Sequence, residues 1–193
     1  YVKHSDVEYT IPGKARLSSF KYCVPGDLSS LSFPIAAALI TGSSLFIENV
    51  DFSDCQGDKK LIEVFIKMGA RIEVNALKKT LQVYSSPHLK GVKVDLNESI
   101  DGVVILAVLA CYAEGETLIT GVEVAREKEC DRIKCITTEL KKMGAEISAL
   151  KDGLFIRGGP LKGADVYSHK DHRMALSLII AHLAAEGDGV VED

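Results

Sequence analysis

The 193-residue sequence predicts an α/β (α+β) fold assembled from a repeated unit, and three observations carry the prediction. First, Lys67-Met68-Gly69-Ala70 recurs 75 residues later as Lys142-Met143-Gly144-Ala145, with Asp27/Asp101 and Asp58/Asp131 spaced almost equally. A fixed period of this kind sets architecture before any single element does. Second, residues 31–40 and 102–113 are apolar nearly all round, the pattern of helices buried on every side. Third, residues 58–68 and 131–143 are amphipathic, and each is followed by a glycine suited to a helix C-terminal cap.

The elements of each unit follow in the same order. A polar turn comes first (Gly26-Asp27-Leu28-Ser29-Ser30, then Asn97-Glu98-Ser99-Ile100-Asp101), followed by the buried helix. Pro34 is tolerated only near a first turn, which predicts that the first helix begins around Ser30 to Ser32. A glycine turn then leads to a strand, over 45–49 in one unit and 117–120 in the other. The amphipathic helix and a hairpin complete the unit; in the second unit Lys151-Asp152-Gly153 predicts a tight type I′ turn between 145–149 and 154–157. The units span about 22–90 and 91–160. A truncated third, 161–193, starts at Asp165-Val166-Tyr167, carries a buried helix over 174–185 and ends it at Gly187-Asp188-Gly189. Residues 1–21 differ: Val7 to Ile11, a Pro12-Gly13 turn and Phe20 to Val24 read as the closing hairpin of a preceding domain, or as a linker. The start at Tyr1 predicts a piece of a longer protein.

A hydrophobic share of 47% supports a packed core, and a net charge of −4 without a basic stripe argues against a nucleic-acid partner. The longest apolar stretch, 102–113, is too short to span a bilayer. Five cysteines with no CxxC pair indicate neither a disulfide framework nor a zinc knot, and predict a reducing, cytoplasmic location. His169 and His172 lack a third metal ligand.

Chemistry concentrates in two charged clusters. Arg126-Glu127-Lys128-Glu129-Cys130-Asp131-Arg132 feeds the helix marked by Ile133, Ile136, Leu140 and Met143, and Asp171-His172-Arg173-Met174 opens the third buried helix. Three equivalent helices packed side by side point their N-termini one way. Unpaired amides and partial positive charge then favour an anion on the shared face. Lys128, Arg132 and Arg173 line that face, and the two arginines suit bidentate contact with carboxylate or phosphate. Asp101 and Glu129 sit in the same recess, one placed to accept a proton and the other to deliver one. Ser29, Ser30, Ser99, Asp101, Asp131 and Asp171 also read as ordinary helix caps.

Four segments resemble a known family: Gly26-Asp27-Leu28-Ser29-Ser30-Leu31-Ser32-Phe33; Asp101 with Ala113-Glu114-Gly115-Glu116-Thr117; Arg126-x-Lys128-Glu129-Cys130-Asp131-Arg132-Ile133 with Glu139-Leu140; and Asp171-His172-Arg173-Met174-Ala175. From about Tyr22 onward the chain is similar to the C-terminal part of 5-enolpyruvylshikimate-3-phosphate synthases (3-phosphoshikimate 1-carboxyvinyltransferases). The resemblance implies an inside-out α/β barrel of βαβαββ units, enolpyruvyl transferase-like, with buried helices and outer sheets. It implies a shikimate-pathway transferase, the glyphosate target, that moves the carboxyvinyl group of phosphoenolpyruvate onto the 5-hydroxyl of shikimate 3-phosphate without metal or organic cofactor. It also implies roles: Asp101 accepts the hydroxyl proton, and Glu129 protonates the methylene carbon. Lys128 and Asp101 contact shikimate 3-phosphate, Arg132 and Arg173 hold phosphoenolpyruvate, and Arg126, Asp131 and His172 support them.

The family's remaining contacts, among them an N-terminal Lys-Ser…Arg segment and a lysine beyond the third buried helix, have no counterpart here. One wall of a cleft is therefore expected, with an N-terminal domain as its partner and negligible turnover alone. The sister transferase acting on UDP-N-acetylglucosamine, a non-catalytic anion-binding repeat module and a phosphate-cyclase-like enzyme using His172 are the competing readings. The first lacks the paired motifs, and the last fits the helix-opening context of His172 poorly.

Overall fold

The computed structural model describes residues 3–4, 8–14 and 16–193. Two short strands, β1 (Lys3–His4) and β2 (Tyr9–Thr10), pair antiparallel, and residues 16–27 then form no strand, with 16–24 exposed. The expected strand over 20–24 is therefore not formed; the partner of β2 lies upstream of the turn at Gly13-Lys14, and Val7 falls outside the described residues.

The first unit contains α1 (Leu28–Ile40), β3 (Leu45–Glu48), α2 (Lys59–Lys67), β4 (Arg71–Asn75) and β5 (Thr80–Tyr84). The second contains β6 (Lys93–Asp95), a 3-10 turn (Asn97–Gly102), α3 (Val103–Cys111), β7 (Glu116–Thr120), a second 3-10 turn (Glu123–Glu127), α4 (Arg132–Lys142), β8 (Glu146–Ala149) and β9 (Leu154–Arg157). The third holds β10 (Val166–Tyr167), α5 (His172–His182) and β11 (Val191–Glu192). The sheets run β3-β5-β4, β6-β7-β9-β8 and β10-β11. β6/β7 and β10/β11 are parallel pairs joined across α3 and α5, as a strand–helix–strand crossover requires. β6 carried no separate signal in the sequence: three residues are too few to show alternation.

Helices lie inside and sheets outside. All nine residues of α3 are at most 1% exposed, and the helix packs against α1, α4 and α5, while α1 and α5 also touch. Burying each of its large aliphatic side chains contributes roughly 1.5–3 kcal/mol, so this helix anchors the molecule. α2 and α4 turn Leu61, Val64 and Phe65, and Ile133, Ile136 and Leu140, into the same core. Gly69 and Gly144 close them with φ of 101° and 86°, the left-handed conformation expected of a C-terminal cap.

Four expectations need correction. α1 starts at Leu28, so Pro34 lies in its second turn; the early start follows from Asp27, whose carboxylate accepts the Ser29 and Ser30 amides at 3.0 and 3.1 Å. The serines are thus capped residues, not caps. Ser99 and Asp101 likewise precede α3 in a 3-10 turn, with Gly102 as the cap residue. The loop between β8 and β9 spans four residues, 150–153, because Ala149 pairs with Leu154. Gly153 is not at positive φ; it is needed because a Cβ there would lie 1.8 Å from the Ile119 carbonyl oxygen. Finally α5 ends at His182 and is only half buried: Leu176 and Ile179 are 43% and 49% exposed. No helix among the described residues is long and apolar enough to cross a membrane.

Candidate active site

The N-terminal ends of α1, α4 and α5 and the 3-10 turn before α3 converge on one patch. Each end is fixed locally. At α1, Gln56 accepts the Leu28 amide at 2.7 Å and donates to the Gly26 carbonyl at 3.1 Å. At α4, Asp131 caps the Lys134 amide at 2.9 Å and is gripped by Arg126, which also donates to the Leu150 and Lys151 carbonyls at 2.6 and 3.1 Å. Arg126 thereby ties the Lys128–Cys130 segment to the β8–β9 loop. At α5, Asp171 accepts the Arg173 and Met174 amides at 2.8 and 3.4 Å.

Arg132 is the hub. It is 1% exposed, and all three of its nitrogens donate to carboxylates: Nε to Asp171 at 2.8 Å, Nη1 to Asp101 at 2.8 Å and Nη2 to Glu129 at 2.6 Å. Asp101 receives two further cations, Lys128 Nζ at 3.1 Å and Arg173 Nη2 at 3.6 Å. Arg173 also donates to the Ser29 hydroxyl at 2.9 Å, which joins α5 to α1. Three carboxylates thus interleave with three cations. Such a cluster is tolerated inside a protein only when nearly every member is paired.

The electrostatics follow from this pairing. Burial alone would raise the pKa of Asp101, but Lys128, Arg173 and Arg132 outweigh it and hold the carboxyl below its ordinary range. Asp171 behaves the same way, with burial opposed chiefly by Arg132 and then by the α5 amides. Arg132 is pushed upward by Asp171, Glu129 and Asp101 against the effect of its own burial. The Cys130 thiol, 3.7 Å from Asp171, is raised by burial, by Cys135 and by Asp171, which disfavours a thiolate nucleophile.

The structure therefore gathers all five residues singled out in the sequence: Asp101, Lys128, Glu129, Arg132 and Arg173. His172 is exposed at the first position of α5. Two members were missed in the sequence. Asp171 was read as a cap, and it is also the fully buried ion-pair partner of Arg132. Ser29 was read as a cap, and it accepts from Arg173. Both contacts join residues far apart in the chain, where local spacing carries no signal. Among the described residues no group of three or more His, Cys, Asp or Glu is placed to hold a metal ion.

Inward helices meeting on a balanced acid–cation cluster define a class of repeat-built α/β protein suited to anion chemistry. The family model for EPSP synthase (3-phosphoshikimate 1-carboxyvinyltransferase) matches residues 1–193. A 3-phosphoshikimate 1-carboxyvinyltransferase of Methanococcus maripaludis is 41% identical over 187 residues, which is 96% of this chain and 43% of that protein. One from Chlamydia abortus is 42% identical over 191 residues, covering 98% and 42%. Among solved structures, an EPSP synthase from Acinetobacter baumannii superposes with a TM-score of 0.81 at 30% identity, covering 96% of this chain and 46% of that one. The chain belongs to the EPSP synthase family, and it spans under half the length of these relatives.

Proposed function

We propose that the whole protein transfers the carboxyvinyl group of phosphoenolpyruvate to the 5-hydroxyl of shikimate 3-phosphate and releases phosphate. In this reading residues 22–193 form one wall of the substrate cleft, residues 1–21 lead in from a preceding N-terminal domain, and the protein works in the cytoplasm, where free cysteines persist. The observation that carries it is the shared pairing of Asp101 and Glu129 on Arg132. An acid and a base stand side by side within a ring of cations able to hold two anionic substrates.

The chemistry divides into two steps. Asp101, kept ionised by its three cations, takes the proton of the 5-hydroxyl as that oxygen bonds to the central carbon of phosphoenolpyruvate. Glu129 delivers a proton to the methylene carbon, which becomes a methyl group in a tetrahedral intermediate. In the elimination the methyl carbon returns a proton to Glu129 as the carbon–oxygen bond to phosphate breaks, and the proton held by Asp101 leaves with the phosphate. Lys128 contacts the shikimate 3-phosphate side, while Arg132 and Arg173 grip phosphoenolpyruvate, exchanging carboxylate partners for substrate oxygens.

Assaying the full-length protein with phosphoenolpyruvate and each of two acceptors tests this. Shikimate 3-phosphate should be consumed and UDP-N-acetylglucosamine should not. Asp101→Ala and Glu129→Ala should each lower kcat by roughly 10²–10⁴-fold with the fold retained. Full activity in both variants would sink the assignment. The purified 193-residue chain should show negligible turnover, and steady conversion of both substrates by it would refute the one-wall reading.

A further inference from the structure

The cluster stands on a turn that is intrinsically disfavoured. His169 and Lys170, immediately before Asp171, both adopt left-handed backbone conformation, with φ of 56° and 57°. Such conformations are uncommon for residues with a side chain, and two in succession persist only where their surroundings impose them. The surroundings here come largely from α4. Arg132 and Glu139 lie seven residues apart on one face of that helix, two turns from each other. Arg132 holds the end of the 167–171 segment through Asp171. Glu139 holds its beginning.

Glu139 is itself 1% exposed. Its Oε2 accepts the Tyr167 amide at 3.0 Å and Lys142 Nζ at 2.6 Å, and its Oε1 meets His169 Nε2 at 2.9 Å. Burial would raise its pKa, yet these hydrogen bonds outweigh it and hold the carboxylate low. The Tyr167 ring stands edge-on to the His169 ring at 5.2 Å. On its other side the segment is tied by the Ser168 amide to the Glu192 carbonyl at 2.7 Å and by the Ser168 hydroxyl to Asp193. A buried carboxylate on an amphipathic helix is costly unless it is hydrogen-bonded, and among the described residues its hydrogen bonds beyond Lys142 all go to this turn.

We propose that Glu139 is a positioning residue for the charged cluster: through His169 and the Tyr167 amide it fastens the left-handed turn that seats Asp171 on Arg132 and directs Arg173 toward Asp101 and Ser29. The proposal deepens the anion-site reading above and rests on it for its functional consequence, though not for the structural link. Glu139 does not touch the reacting groups; it acts through Asp171 and Arg173.

Three variants of the full-length protein separate positioning from plain stability. Glu139→Ala removes the anchor and also disturbs the core. His169→Gly removes the anchored side chain from a half-exposed position while relieving the left-handed backbone, so its melting temperature should stay level or rise. Amide hydrogen exchange at Arg173 and Met174, whose N–H groups bond to Asp171, gives the local readout. These two variants should exchange there on the order of tenfold faster than the native protein after normalising to α3 amides, the scale of one lost charge-assisted hydrogen bond, with Glu139→Gln intermediate. Phosphoenolpyruvate binding, followed in parallel, should weaken by a comparable factor in His169→Gly despite its undiminished melting temperature. Unchanged protection at Arg173 and Met174 in His169→Gly, or a loss spread evenly over α3, would overturn the proposal. If the full-length native protein binds no phosphoenolpyruvate while the exchange response is intact, the link stands and the anion-site reading falls.

Discussion

Arg132 is 1% exposed and donates from all three of its side-chain nitrogens to carboxylates. The letters around it, Lys128-Glu129-Cys130-Asp131-Arg132, advertise a charged helix start, and its involvement with Asp101 and Glu129 was legible from them. Its near-complete burial was not, because the carboxylate that makes burial tolerable, Asp171, comes 39 residues later. Truncating it in Arg132→Ala takes a cation from three carboxylates and leaves the fully buried Asp171 without its ion-pair partner, which should cost about 3–5 kcal/mol in denaturant unfolding. The pH dependence has a definite sign. Asp101 and Asp171 sit below the ordinary value of 3.8 in the folded chain, so their pairing stabilises fully above that value and is lost as pH falls through the lower folded values. Stability of the native chain should therefore hold down to about pH 5 and drop below about pH 4. In Arg132→Ala that acid limb should flatten. An acid limb identical to the native one would show that the ion pairs contribute little to folding.

At the scale of elements, the periodic helices were the most legible features and their ends the least. α2 and α4 fall within a residue of the expected boundaries because apolar spacing and a closing glycine agree. α1 departs because two local rules conflict. Proline asks for a start near Ser30, while Asp27 offers its carboxylate to two amides and two hydroxyls and wins. The helix then carries Pro34 on its exposed face, without the amide that would reach the Ser30 carbonyl. Pro34→Ala restores that bond and loses little packing, so it should raise unfolding free energy by about 1–2 kcal/mol after the added freedom of the unfolded chain is set against it. A lower urea midpoint in that variant would mean the ring is needed where it sits. The β8–β9 turn departs for a related reason: Asp-Gly signals a left-handed turn, but Gly153 serves close approach to Ile119, a contact across strands that no dipeptide reveals.

At the scale of the molecule, the repeat made the arrangement foreseeable. Equivalent helices with no polar face can only pack on one another, and α3, wholly enclosed, confirms that packing. Once α1, α3 and α5 are inside, their leading ends must share a face, and the two charged motifs come together though they stand about forty residues apart in sequence. The repeat does not predict how the third unit closes, which is why α5, expected buried, leaves Leu176 and Ile179 open. In the proposed reading this shared face binds the anionic substrate through Lys128, Arg132 and Arg173. A crystal structure of the full-length protein soaked with phosphoenolpyruvate tests this directly. The ligand's phosphate and carboxylate should lodge among those three cations, with Asp101 or Glu129 displaced from Arg132. Ligand bound at another face, with Arg132 still saturated by its three carboxylates, would contradict it.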